Sequence, residues 1–264
     1  MTLSTQRLER RVKLTLHYDG AGFMGWQVQP GARTVQAELE DALSRLVDQP
    51  ISVIAAGRTD RGVHAIGQVA SALVPAKWTA AALRRALNAI LPEDIWVSAA
   101  REVPLEFHAR YSATARSYEY RVGTAEEAFS PFHRRWCWPL RDTVNRAALD
   151  EAAAQLLGRH SFRAFAKSGQ PERGDQCEVS ASSWRTWECG LTYEIRANRF
   201  LHHMVRYLVG TMVDMARGRR PLGDLRQLLA NAQGLETSPP APPEGLFLLD
   251  VVYPPATEGR EELE

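Results

Sequence analysis

A chain of 264 residues, 45% hydrophobic and 24% charged with a formal net charge of +1, has the composition of a globular protein, large enough for one big domain or two small ones. No stretch approaches the ~18 uninterrupted apolar residues of a membrane span, and Met1-Thr2-Leu3-Ser4-Thr5-Gln6-Arg7 lacks the apolar core of a secretion signal, so a cytoplasmic protein with no membrane partner is expected. Three cysteines, Cys137, Cys177 and Cys189, are odd in number and widely spaced; they suggest neither a disulfide framework nor a zinc cluster and are assigned to packing.

Arg11 to Tyr18 alternates polar and apolar residues, as a half-buried strand does. A glycine-rich turn follows. Thr34 then caps a helix whose Val35, Leu39, Leu43 and Leu46 keep helical spacing until Gln49-Pro50 ends it. Ile51 to Ala56 reads as a short apolar strand, and after the loop Gly57 to Ile66, Gln68 to Val74 reads as another. Thr79 caps a second helix carrying Leu83, Leu87 and Ile90, Pro92 closes it, and Ile95 to Ala100 makes a last strand. The order β-α-β-β-α-β is the split arrangement of ferredoxin-like domains.

The second half repeats that order. Ser117 to Val122 alternates as a strand, and Asp142 or Thr143 starts a helix carrying Val144, Ala148, Ala152 and Leu156, which Gly158 terminates. Ser182 to Trp187 and Leu191 to Ala197 flank Glu188-Cys189-Gly190 as a hairpin. A long helix from Phe200 to Arg217 ends at Gly218, a short one follows Pro221, and a strand runs from Leu246 to Tyr253. The Pro-rich run Ser238 to Pro243 is expected to be a surface loop. The reading is an α+β fold of two split β-α-β (ferredoxin-like) subdomains, residues 1–103 and 104–264, with largely antiparallel sheet and a cleft between them.

Charge is unevenly placed. Between Arg196 and Arg220 lie Arg196, Arg199, Arg206, Arg217, Arg219 and Arg220 against one acid, Asp214, while the tail from Glu258 is acidic. This pattern fits a local basic surface or a solvated helix face.

Gly20-Ala21-Gly22-Phe23-Met24-Gly25 is a literal G-x-G-x-x-G after an expected strand, the position of a dinucleotide fingerprint. That mechanism needs the third glycine to open a helix facing the pyrophosphate, but Trp26-Gln27-Val28-Gln29-Pro30-Gly31 intervenes. The acid expected about 20 residues on has no good candidate either. The run reads instead as a glycine-rich loop over a groove, and no cofactor is expected.

The loop Gly57-Arg58-Thr59-Asp60-Arg61-Gly62 sits between two expected strands, with glycines that permit close approach to a ligand. Arg58 and Arg61 favour the ionised form of Asp60, which suits a nucleophile better than a general acid. A surface turn with an Arg-Asp pair is the bland alternative. His64 is read as a satisfied loop histidine.

Six groups of residues carry a resemblance. They are Met24-Gly25-Trp26-Gln27-Val28-Gln29; Thr34-Val35-Gln36; Ala55 through Ala65 with Gly67-Gln68-Val69; Phe107-His108-Ala109-Arg110-Tyr111-Ser112-Ala113; Arg116-Ser117-Tyr118-Glu119-Tyr120; and Phe200-Leu201-His202-His203-Met204-Val205-Arg206. In order and spacing they resemble the TruA family of tRNA pseudouridine synthases over nearly the whole chain, and the run Ala55 to Ala65 is the most specific part. The resemblance implies a cofactor-independent isomerase that converts uridine to pseudouridine at positions 38, 39 and 40 of the tRNA anticodon stem-loop. The alternative is a catalytically silent tRNA-binding protein of the same fold.

Motif by motif, the resemblance makes Asp60 the catalytic aspartate, Tyr118 the aromatic residue that meets the target uracil, and Arg206 the basic partner of the aspartate. Arg58 is read as holding a phosphate or shaping the turn, and Leu246, after Pro243-Glu244-Gly245, as lining the pocket or packing in a strand. The pattern alone also allows core packing for Tyr118 and snorkelling for Arg206. Candidates for RNA phosphates are Arg110, Arg116, Arg199, Arg217, Arg219 and Arg220. The family further implies a homodimer with tRNA across both subunits. One departure stands out: Cys177-Glu178-Val179-Ser180 occupies a place where the family often has a cysteine followed by basic and threonine residues. With Asp60 in the first half and Tyr118 and Arg206 in the second, the active site is expected between the halves.

Overall fold

A computed structural model describes residues 9–167 and 174–257; Met1-Thr2-Leu3-Ser4-Thr5-Gln6-Arg7 and the acidic tail from Glu258 lie outside them. The described residues divide into two units, one formed by residues 9–114 with 250–257 and the other by Ala115–Leu249. The fold is α+β, as the sequence implies.

In the first unit, β1 (Glu9–Tyr18) buries Val12, Leu14 and Leu16 completely, the face that its alternation marks out. The side chain of Thr34 accepts a hydrogen bond from the Ala37 N–H and caps α1 (Val35–Val47), which ends at Asp48 in the left-handed region (φ 57°). Next come β2 (Ile54–Ala55), β3 (His64–Pro75), α2 (Ala80–Ile90), capped by Thr79, and β4 (Ile95–Val103). The strand order is β4-β1-β3-β2 and every neighbouring pair is antiparallel. That is the split β-α-β arrangement, with β3 inserted between β1 and β2.

Two boundaries in this unit differ from the sequence reading. The apolar run from Ile51 pairs as a strand only at Ile54 and Ala55, because side chains of α1 take its earlier backbone donors: the Ile51 N–H bonds Ser44 Oγ and the Val53 N–H bonds Glu40 Oε1. β3 begins four residues before Gln68, since Ala65 already pairs with Tyr18 across a register shift.

The second unit holds β5 (Ala115–Gly123), β6 (Trp138–Pro139), α3 (Arg146–Ala154), β7 (Gly158–Ser161), β8 (Gln176–Trp187), β9 (Gly190–Ala197), α4 (Met204–Ala216) and α5 (Asp224–Leu229). β10 (Leu246–Val252) begins here and ends in the first unit. Its order, β10-β5-β9-β8, repeats the split pattern, with β7 added on β8 and β6 on β5.

Several expectations are corrected in this unit. α3 is capped by Asn145, whose Oδ1 accepts from the Ala148 N–H, and not by Asp142, which is engaged by Arg217 and Arg219. Gly158 opens a strand where a helix terminator was expected. α4 starts at Met204 because His203 adopts a left-handed φ of 64°, which keeps the preceding residues out of the helix. The Pro-rich run is a packed loop: Ser238 and Ala241 are buried, and the Ser238 N–H bonds Thr211 Oγ1 on α4.

All three cysteines are free and buried. Among the described residues no helix is long and apolar enough to cross a membrane.

Candidate active site

Asp60 is half-buried, between exposed Arg58 and Arg61, on a loop whose backbone is fixed from several directions. Behind it, Tyr18 Oη and Thr59 Oγ1 lie 2.7 Å apart in a buried hydrogen bond, and Gln68 Nε2 donates to the Gly57 carbonyl at 2.8 Å. Burial pushes the Tyr18 phenol up to about 12, with its bonds to Thr59 and Gln68 acting the other way, so it stays protonated at neutral pH. In front, the Trp26 N–H donates to the Thr59 carbonyl at 3.0 Å, and the Val63 N–H closes a turn on the Asp60 carbonyl at 3.1 Å.

The glycine-rich run that resembles a dinucleotide fingerprint belongs to this assembly. A Cβ on Gly20 would fall 2.1 Å from the Val63 carbonyl oxygen. At Gly25, where φ is +96°, a Cβ would lie 2.8 Å from the Thr59 carbonyl oxygen and 3.2 Å from Arg61 N. These glycines let one loop lie directly on the other, so they serve Asp60 and not a pyrophosphate. His64 is buried at the start of β3, where the sequence reading has a loop, with its Nδ1 accepting from the Gly20 N–H at 3.0 Å and lying 3.2 Å from Asp19 Oδ1. Sequence reasoning did not single out Tyr18, Trp26 or Gln68 as supports; Trp26 and Gln68 stand inside the resembling segments, which was the available signal.

In the second unit, Tyr118 lies on β5 at 8% exposure and meets Phe200 edge to face, ring centroids 4.9 Å apart. The start of the Phe200–Arg206 segment is thereby held against β5. Arg206, half-buried on α4, is tied twice to the packed loop: its Nε donates to the Ala241 carbonyl at 2.8 Å, and its own carbonyl accepts from the Ala241 N–H at 2.9 Å. The same loop is bonded to β5 where Tyr120 Oη donates to the Pro242 carbonyl at 2.7 Å. Burial, with Glu244 nearby, drives the Tyr120 phenol well above its usual pKa and keeps it a donor. Gly245 follows, where a Cβ would sit 2.7 Å from the Tyr120 ring, and then Leu246, 5% exposed at the start of β10. Tyr118, Arg206 and Leu246 thus stand on three elements joined by one loop, and Tyr120 and Ala241 are the joints the sequence did not disclose.

Arg217 pairs with Asp142, Arg219 contacts the same carboxylate at 3.1 Å, and Arg220 binds Asp224 at 3.0 Å and Ser238 Oγ at 3.2 Å. The apparent excess of arginines over Asp214 is therefore balanced here by acids from other parts of the chain. Arg110 is exposed with its guanidinium 5.6 Å from the Tyr111 ring centre, and Arg116 and Arg199 are half-buried, Arg116 donating to the Asn198 carbonyl at 3.1 Å. Cys177 and Glu178 lie on β8, where the Glu178 N–H is received by Asn198 Oδ1 at 3.0 Å.

Comparison with known proteins gives one consistent result. A family model described as tRNA pseudouridine synthase matches residues 15–112 and 152–254, which include Asp60, Arg206 and Leu246; Tyr118 falls in the interval between the two matched stretches. The tRNA pseudouridine synthase A of Chlorobium limicola is 40% identical over 247 residues, covering 92% of this chain and 100% of that protein. The protein of that name from Moorella thermoacetica is 41% identical over 244 residues, covering 92% and 99%. The one from Myxococcus xanthus is 39% identical over 250 residues, covering 93% and 94%.

Proposed function

Because the chain belongs to the tRNA pseudouridine synthase family, we propose that it isomerises uridine to pseudouridine at positions 38, 39 and 40 of the tRNA anticodon stem-loop with Asp60 as nucleophile. Pseudouridylation of tRNA is the activity common to the family model and the named relatives; the positions, the nucleophile and the roles below are this proposal.

The reaction breaks the bond from C1′ to N1 and makes one from C1′ to C5, with loss of the C5 proton. As the first bond breaks, C1′ becomes electron-poor, and a carboxylate traps or stabilises that centre as in retaining glycosidases. The observation that carries the assignment is the bracing of the Asp60 loop: buried bonds through Tyr18, Thr59 and Gln68 and close glycine contacts hold the backbone from which the half-buried Asp60 projects. A group held in this way supplies the positioning that such catalysis depends on.

Tyr118 stacks on the freed uracil and keeps it from escaping while it turns; base stacking of this kind contributes roughly 1 to 3 kcal/mol. Its phenol relays the C5 proton, giving up its own proton as it takes that one, and N1, released from C1′, ends protonated. Arg206 acts as the cationic partner of Asp60, Leu246 lines the pocket, and Arg58 holds a phosphate. Flipping the target uridine out of the stem costs a few kcal/mol, which phosphate contacts from Arg110, Arg116 and Arg199 offset. Arg217, Arg219 and Arg220, already engaged with acids, bear mainly on the shape of that face. The enzyme works in the cytoplasm as a homodimer whose subunits share one tRNA.

The test is release of tritium from tRNA labelled at uracil C5, with the modified positions mapped in one defined tRNA. The wild type should release label and Asp60→Asn should not, while keeping most of its tRNA affinity. Binding without release by the wild type would leave only a silent tRNA-binding protein. Substantial turnover by Asp60→Asn would remove the nucleophile assignment alone.

A further inference from the structure

The two-residue turn joining β8 and β9, Glu188-Cys189, comes to rest against the segment that precedes β6. There His133, Glu188 and Cys189 place one imidazole nitrogen, one carboxylate oxygen and the thiol sulfur within 4.8 Å of one another. We propose that these three side chains form a binding site for a divalent transition-metal ion of the zinc type, separate from the pseudouridylation chemistry.

The donor set selects the class of ion. A thiolate, an imidazole and a carboxylate together suit zinc and its first-row neighbours, whereas magnesium and calcium take oxygen ligands. Zinc bonds of about 2.0 to 2.3 Å put the ligand atoms of a tetrahedral site roughly 3.5 Å apart, so each side chain has about an ångström or less to close. Glu188 is exposed at the tip of the hairpin and can swing to make that adjustment.

The other two ligands stand on fixed backbone. The Cys189 carbonyl accepts from the Thr124 N–H at 2.9 Å and the Ala125 N–H at 3.1 Å. The His133 N–H is received by the Ser130 carbonyl at 3.1 Å, and the His133 carbonyl accepts from the Trp136 N–H at 2.8 Å. Cys189 is buried, His133 is half-buried and Glu188 faces solvent, so an ion enters from outside and keeps one position for water.

The Glu188 carboxylate favours a dication, and the metal binds sulfur as the thiol proton leaves to solvent. Cys137 shares the apolar cluster with Cys189, but its thiol points to the carbonyls of Ala128 at 3.8 Å and His133 at 3.5 Å, making it a control and not a ligand. No sequence motif announces the site, because 55 residues separate His133 from Glu188.

The experiment is titration of chelator-treated full-length protein with Co2+, read by the near-ultraviolet sulfur-to-metal charge-transfer band. One equivalent should give the band in the wild type and in Cys137→Ser, and Zn2+ should abolish it by displacement. Cys189→Ser should lose the band, and His133→Ala and Glu188→Gln should bind Co2+ at least tenfold more weakly. Zn2+ should also raise the melting temperature of the wild type and not that of His133→Ala. Absence of the band in the wild type, its persistence in Cys189→Ser, or unchanged affinity in both His133→Ala and Glu188→Gln would overturn the proposal. The last two are changes at half-buried and exposed positions, so they decide the matter even if Cys189→Ser does not fold.

Discussion

The contact between the glycine-rich loop and the Asp60 loop can be tested by comparing two alanine substitutions. Gly25 and Gly31 both have positive φ, +96° and +69°, but a Cβ on Gly31 meets nothing within 4 Å while one on Gly25 lies 2.8 Å from the Thr59 carbonyl oxygen. Gly31→Ala therefore isolates the backbone strain, about 1 to 2 kcal/mol. Gly25→Ala adds a steric conflict. Ordinary contact begins near 3.4 Å, so the Thr59-Asp60 backbone has to retreat by about 0.6 Å from its place at 2.8 Å. Overpacking of this kind costs about 1 to 3 kcal/mol, giving a total of roughly 2 to 5 kcal/mol for Gly25→Ala. A misplacement near 1 Å costs on the order of a hundredfold in rate, so a shift of this size should lower kcat about tenfold or more with little change in tRNA affinity. Urea unfolding and single-turnover tritium release measure the two effects. If Gly25→Ala proved no less stable than Gly31→Ala and kept wild-type kcat, the glycine loop would not be what positions Asp60.

Tyr18→Phe leaves the buried Thr59 hydroxyl without its 2.7 Å partner; a loss of about 1 to 3 kcal/mol in urea unfolding is expected, with kcat falling more than the KM for tRNA changes. Arg110→Ala and Arg116→Ala should weaken tRNA binding and each reduce the slope of log affinity against log salt by about 1, whereas Arg217→Ala, which breaks the pair with Asp142, should lower thermal stability and leave that slope in place. Burial holds the Cys137 and Cys177 thiols up at about 11, against 9.0 for an unperturbed thiol. The folded state keeps these protons more tightly than the unfolded chain, so their contribution is whole below pH 9 and vanishes as pH rises through about 11. Urea midpoints should fall across that window and fall less in the double alanine variant; equal falls in both proteins would refute the assignment.

What could be read from the sequence follows from the range of the forces involved. Alternation in β1, the threonine caps of α1 and α2, and helical spacing are local, so the first unit's element order was legible. Ile51 to Val53 was not, because Ser44 and Glu40 compete for its backbone donors and that competition depends on how α1 sits. Asp142 was misread for the same reason: an acid beside a possible helix start is a good cap until arginines 75 and 77 residues later take it. Charge counted along the sequence therefore overstates a basic surface wherever the fold returns an acid to it. For Asp60, local chemistry left a surface Arg-Asp turn as good an account as a nucleophile, and the specific run from Ala55 to Ala65 identified the family.

The G-x-G-x-x-G run shows how much a glycine pattern can say without its surroundings. Absence of a side chain permits close approach of some other atom, and the pattern does not specify whether that atom belongs to a pyrophosphate or to the chain itself. The sequence could reject the pyrophosphate, because no helix opens at Gly25, but it could not name what replaces it. The replacing atoms are the carbonyl oxygens of Val63 and Thr59, 43 and 34 residues further on from the glycines they approach. Each glycine meets backbone, which cannot rotate out of the way as a side chain can, and this makes Gly20 and Gly25 less tolerant than Gly22, whose Cβ would meet only the side-chain ends of Arg33 at 3.2 Å and Asp94 at 3.3 Å. The distinction ranks the three glycines of one motif by what lies opposite them, and it assigns their constraint to the position of Asp60.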